Sequence, residues 1–216
     1  MMAINKNALA NALLSAEGFL VEEDTIIDGI YYPCKPLYIE FLNLYPNLLY
    51  NISMEIASFF KKNKPNMIFA MESAILPLAT LVTHELNIPL IIVRKPNYSG
   101  HEGNEPKVYL PDRMIKDVGN QSVFFDDAIW SGRSIMGFIN ILKMSGVSEE
   151  NIQNIVPVFI IDFMRFPGGN KVICETYKEY VSQRICFLTY SELIKYAYDK
   201  GVISLNAYEK SLDLFK

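Results

Sequence analysis

Hydrophobic positions along the chain gather into short, continuously apolar runs separated by longer stretches in which they recur at helical spacing. Residues 67–70, 89–93, 123–125, 156–161 and 185–188 are apolar without alternation, the pattern of strands buried on both faces in a parallel sheet. Between and around them, 7–18, 46–62, 135–144 and 175–183 read as amphipathic helices. Leu9, Leu13 and Leu14 share a face of the first, and Gly18 suits its end. Thr189 and Glu192 cap a last helix. Residues 25–41 are rich in Ile, Tyr and Phe and interrupted by Gly29, Pro33 and Pro36, which predicts short strands with turns. Strands alternating with helices predict an α/β fold: a mainly parallel twisted sheet flanked by helices, with ligand groups at the strands' carboxyl ends.

The stretch 123–134, Val-Phe-Phe-Asp-Asp-Ala-Ile-Trp-Ser-Gly-Arg-Ser, carries the most chemistry. An apolar strand turns polar at Asp126 and Asp127, passes through a turn at Ser131, Gly132, Arg133 and Ser134, and enters a helix. Backbone N–H groups entering a helix point outward unpaired, and with the hydroxyls of Ser131 and Ser134 they can hold a phosphate dianion. Asp126 and Asp127 would repel that phosphate, so their work is on neutral hydroxyls or a metal ion beside it, as on a ribose whose 5-phosphate occupies the loop. A second strand-to-helix loop lies at Met71, Glu72, Ser73 and Ala74. At the end of 89–93, Arg94 and Lys95 precede a segment rich in Gly, Asn and Pro and suit a polyphosphate.

Composition narrows the classes. At 216 residues, half of them hydrophobic and 12% aromatic, the chain suits one folded domain spanning 1–216, with no repeat or linker. A net charge of -4 gives no long-range attraction to nucleic acid or an anionic membrane. The first residues lack the apolar centre of a signal peptide, and runs such as 155–161 are far too short to span a bilayer, so a cytoplasmic protein is expected. Cys34, Cys174 and Cys186 are widely spaced and read as reduced core thiols. With His84 and His101 the only histidines, no metal held directly by protein ligands is expected, whereas Mg²⁺ held mostly by substrate oxygens is compatible.

These residues resemble the type I phosphoribosyltransferases, and most closely the orotate enzymes. Their phosphoribosyl pyrophosphate (PRPP) signature runs from two acids to Thr-Thr-Gly-Gly-Thr or Thr-Gly-Gly-Ser. Asp126 and Asp127 match the acids, and Ser131, Gly132 and Ser134 match the loop. Trp130 replaces a usual small residue, and Arg133 stands where a second glycine is common. Residues 71–74 resemble the pyrophosphate loop, with Pro77 to Thr80 matching the helix start and Ile75 near the place of an absent glycine. Arg94 and Lys95 match an Arg-Lys pair, and His101 matches the histidine of a mobile loop whose lysine is missing here. Lys35 to Glu40 resembles a Ser-Pro-x-Tyr-x-Asp stretch near the base, which gives Tyr38 a base-binding role. The orotate enzymes carry an Asp-Arg pair at 162–163. Phe163 occupies the position of the arginine that recognises the orotate carboxylate, and Arg165, two residues later, would serve as the base-binding residue instead.

The resemblance implies the type I phosphoribosyltransferase fold, with residues 1–45 contributing to a small hood. It implies a pentosyltransferase that moves phosphoribosyl from PRPP to a nucleobase, orotate favoured, and releases pyrophosphate with Mg²⁺ as cofactor. Asp126, Asp127, Arg94 and Lys95 would be the catalytic groups. A homodimer with loops crossing between sites is the implied assembly, with pyrimidine biosynthesis as the setting. The substitutions keep two alternatives open: transfer to another base, or a PRPP-binding regulator that has lost turnover.

Overall fold

The computed structural model describes residues 5–16, 19–27, 30–36, 39–94, 112–119, 121–130, 132–163 and 183–213. Helix α1 (Lys6–Ser15) opens on Asn5, whose side chain accepts the Ala8 N–H. Four short strands follow, β1 (Leu20–Val21), β2 (Thr25–Ile27), β3 (Ile30–Tyr32) and β4 (Lys35–Pro36). They form two separate antiparallel ladders, β1 with β4 and β2 with β3. The proline- and glycine-interrupted stretch thus makes strands as its composition predicts, and a 3₁₀ helix at Ile39–Leu44 leads into α2 (Pro46–Phe60).

The remainder alternates: β5 (Ile68–Met71), α3 (Leu76–Leu86), β6 (Leu90–Val93), α4 (Asp112–Ile115), β7 (Val123–Ile129), α5 (Arg133–Met144), α6 (Glu149–Gln153), β8 (Val156–Asp162), β9 (Ile185–Thr189), α7 (Tyr190–Asp199) and α8 (Leu205–Asp213). Strands β5 to β9 form one sheet in the order β6-β5-β7-β8-β9, with every pairing parallel. Successive strand residues point to opposite faces; on the inner strands β5, β7 and β8 both faces are covered, whereas Ile92 of the edge strand β6 is exposed. Ile68, Ala70, Phe125, Val158 and Ile160 pack with α1, α2, α3 and α7, whereas Phe69, Phe124 and Phe159 pack with Ile135, Phe138 and Leu142 of α5. The Phe124 and Phe138 rings stack with centroids 4.5 Å apart. Burial on both sides explains why the inner strands read as unbroken apolar runs. Truncating Phe124 to alanine is expected to cost about 3–5 kcal/mol.

Two sequence expectations need correction. Strand β7 does not stop at Phe125: it continues through the acids to Ile129, because β8 runs alongside and pairs Ala128 with Ile161 and Ile129 with Asp162. The helix capped by Thr189 is not the last, since α8 follows it. The helix expected at 175–183 lies almost wholly outside the described residues. Among the described residues, no helix is long and apolar enough to cross a membrane.

Candidate functional site

Chain order places the site. From β5 the chain moves to β6 on one side, and β7 then enters on the other, so the strand order reverses between β5 and β7. Such a switch point leaves a crevice at the carboxyl ends, because the loops that follow the two strands turn to opposite faces. The register deepens it. β5 pairs with β7 only as far as Ala70 and Phe125, so the ladder between them ends just before Asp126.

Both acids stand at this point. Asp126 is 4% exposed and Asp127 is half-buried. Asp126 Oδ1 accepts the Asp127 N–H at 3.0 Å, and Asp127 Oδ1 accepts the Ala128 N–H at 2.8 Å. These local bonds fix the orientation of both carboxylates. The chain then reaches Gly132, which caps α5 in the left-handed region at φ 77 and provides no side-chain cap. Arg133 begins the helix, and the only non-glycine residues with positive φ among those described are Asn87 and Gln121. The missing second glycine therefore carries no backbone penalty. The conformation that needs glycine falls on Gly132. Ser134 is half-buried in the first turn, and Ser131 lies outside the described residues.

Across the crevice, Met71 ends β5 and is buried. Glu72 donates its N–H to the Val93 carbonyl, which ties this loop to β6, and the Glu72–Ser73 peptide is cis. Ser73 Oγ donates to Glu40 Oε1 at 3.2 Å, so the 3₁₀ helix braces the loop from outside. Ala74 completes the turn, and buried Ile75 caps α3 without a side-chain bond. Ile75 faces the core, which accounts for an apolar residue near the place where a glycine is usual. Glu72 Oε2 is buried and has no hydrogen-bond partner. Arg94 emerges exposed from β6. The fold thus brings Asp126, Asp127, Gly132, Ser134, the 71–74 loop and Arg94 to the same end of three adjacent strands. Lys95, His101, Tyr38 and Arg165 lie outside the described residues.

No known family model matches the chain. Among solved structures, the orotate phosphoribosyltransferase of Aeropyrum pernix superposes with a TM-score of 0.62 at 17% identity, covering 91% of this chain and 99% of that one. The chain has the type I phosphoribosyltransferase fold. Its curated relatives are mixed. Xanthine phosphoribosyltransferase of Geobacillus thermodenitrificans is 21% identical over 174 residues, 73% of this chain and 82% of that protein. A probable purine biosynthesis transcriptional regulator, PurR, of Streptococcus pneumoniae is 30% identical over 137 residues, 57% of this chain and 48% of the regulator.

Beside this crevice stands an aromatic cluster that the sequence gives no local sign of. Trp130 and Phe163, the first residues past the ends of β7 and β8, stack face to face with centroids 3.5 Å apart and planes 8° from parallel. The Phe163 N–H donates to the Ile129 carbonyl, which locks the two strand ends together. Tyr32 packs edge-on against both rings, and Tyr190 lies 5.0 Å from Phe163 and donates its hydroxyl to the Cys34 carbonyl. Phe163 is 1% exposed. The position that carries arginine in the orotate enzymes is here part of the core. Further out, Arg184 donates from Nε and Nη2 to Oδ2 of buried Asp162, and burial pushes the neighbouring Cys186 thiol up to about 12.

Proposed function

We propose that this chain binds PRPP and transfers its phosphoribosyl group to a nucleobase nitrogen, releasing pyrophosphate. The observation that carries the reading is the β7–α5 unit, which presents two oriented carboxylates and a helix N-terminus without a side-chain cap at the switch point of the sheet. The bond from ribose C1 to the pyrophosphate oxygen breaks and the bond from C1 to the base nitrogen forms, so positive charge builds on the sugar and negative charge on the leaving group. Backbone N–H groups at Gly132 to Ser134, with the Ser131 and Ser134 hydroxyls, hold the 5-phosphate. Asp126 and Asp127 accept from the ribose hydroxyls and hold C1 in line, while their negative charge favours the cationic sugar. The loop of Met71, Glu72, Ser73 and Ala74 receives the pyrophosphate, with Arg94 and Lys95 offsetting its charge.

The donor set fits Mg²⁺, which keeps waters and takes one or two carboxylates beside phosphate oxygens. Among the described residues no group of three or more acids, histidines or cysteines is placed to hold a metal ion, so the ion would be held mostly by substrate oxygens, with Asp126 or Asp127 beside it. When bound, the ion neutralises charge on the pyrophosphate. His101 on a closing loop, Tyr38 and Arg165 near the base, and a homodimer with crossing loops remain part of this proposal.

Orotate is the acceptor favoured by the sequence resemblance, whereas the xanthine enzyme among the relatives favours a purine. The regulator relative supports a second reading, in which PRPP is bound without transfer. Pyrophosphate release from PRPP and Mg²⁺ with orotate, xanthine, hypoxanthine or adenine tests the proposal. Release with any one of them is the expected result. Saturable PRPP binding with no release favours the regulator.

A further inference from the structure

Trp130 stands between the acids and the phosphate loop in the chain, three residues after Asp127 and two before Gly132. A ligand with its phosphate at the α5 N-terminus and its sugar at Asp126 and Asp127 therefore has its ring system beside the aromatic pair at the ends of β7 and β8. That wall has a definite chemistry. Tyr32, Phe163 and Tyr190 are almost wholly buried around the half-buried Trp130, and the polar end of Tyr190 is turned away to the Cys34 carbonyl. Among the described residues, the cation beside the cluster, Arg184, is directed at the Asp162 carboxylate. Aromatic faces carry negative charge density, so a carboxylate set against them is repelled, whereas a neutral planar heterocycle stacks.

We propose that Trp130, seated face to face on Phe163 just past the ends of β7 and β8, is the stacking surface for the acceptor ring and selects an uncharged two-ring base over orotate. This rests on the reading of the crevice as a PRPP site. Indole overlaps a purine more fully than a single ring, and Phe163 holds the indole from behind so that its plane is fixed before the base arrives.

Trp130 is the only tryptophan in the chain, so intrinsic fluorescence reports on it directly. PRPP and Mg²⁺ are first titrated by calorimetry, and hypoxanthine or orotate is then added while Trp130 emission is followed. The expected result is a saturable change with hypoxanthine at lower concentration than any change with orotate. Trp130→Ala should weaken hypoxanthine binding about tenfold, read by calorimetry, while PRPP binding is kept, and Trp130→Phe should lose less. Orotate binding as tightly as hypoxanthine, or Trp130→Ala and Trp130→Phe both binding hypoxanthine as the unaltered protein does, would overturn the inference. If Trp130→Ala does not fold, the Trp130→Phe affinities decide. Absence of PRPP heat in the unaltered protein would instead overturn the functional reading beneath it.

Discussion

Three strand-to-helix turns of the sheet end at the same side of the molecule, and they finish their helices differently. At β9–α7 the chain closes the helix end itself. The Thr189 hydroxyl accepts the Glu192 N–H, the Glu192 carboxylate accepts the Thr189 N–H at 2.8 Å, and Lys6 donates to Glu192 at 2.7 Å. Burial would raise the Glu192 carboxyl, but the Lys6 and Thr189 hydrogen bonds outweigh it and hold the group below its ordinary value. At β5–α3 and β7–α5 no side chain does this: Ile75 and Gly132 are the capping residues. Orphan N–H groups need partners. The two ends left uncapped flank the switch-point crevice, and the closed one lies at the sheet's edge. An unfilled helix end gains meaning from what surrounds it, here two oriented carboxylates and the reversal of strand order.

The contrast predicts that changes at the open turns act on ligand and those at the closed turn act on stability. The largest effect is expected for Asp126→Asn with Asp127→Asn, which should lower phosphoribosyl transfer by about 10³-fold in a pyrophosphate-release assay while the thermal transition stays cooperative. Next, Gly132→Ala forces a Cβ into the left-handed region and should cost about 1–2 kcal/mol in chemical denaturation. The same variant should weaken PRPP binding, because the loop amides move with it. Thr189→Ala should cost about 1 kcal/mol of stability and leave PRPP affinity unchanged, so a loss of affinity there would break the comparison. The smallest effect is one of pH. A carboxyl with a depressed folded-state pKa adds stability above its unfolded value and loses it as pH falls through the folded one. Denaturation midpoints should therefore fall more steeply below the ordinary carboxylate range in the unaltered protein than in Glu192→Gln.

Much of this was legible in the chain because local rules and the global fold agree. The strand-acid-loop-helix order of 123–134 needs no distant contact, and continuous apolar runs mark strands covered on both faces. Where the reading fell short, the determinants are non-local or masked by small residues. Strand β7 extends past the acids because β8 offers partners for Ala128 and Ile129. Helix α8 buries the small residues Ala207 and Ser211 and packs Tyr208 against the core while Leu205 and Leu212 are exposed, so the leucines in its sequence do not mark its inward face. Trp130 and Phe163 each register in sequence only as departures from a family pattern. Their stacking joins residues far apart in the chain, and it requires β7 and β8 to be neighbours with ends in register.

The central claim is that the β5–β7 crevice is a PRPP site organised by Asp126 and Asp127. Isothermal calorimetry of PRPP with Mg²⁺, on the unaltered protein and on the Asp126→Asn, Asp127→Asn double variant, tests it most directly. Saturable heat in the first and none in the folded second is the predicted result. No heat in the unaltered protein, or equal heat in both, would contradict it.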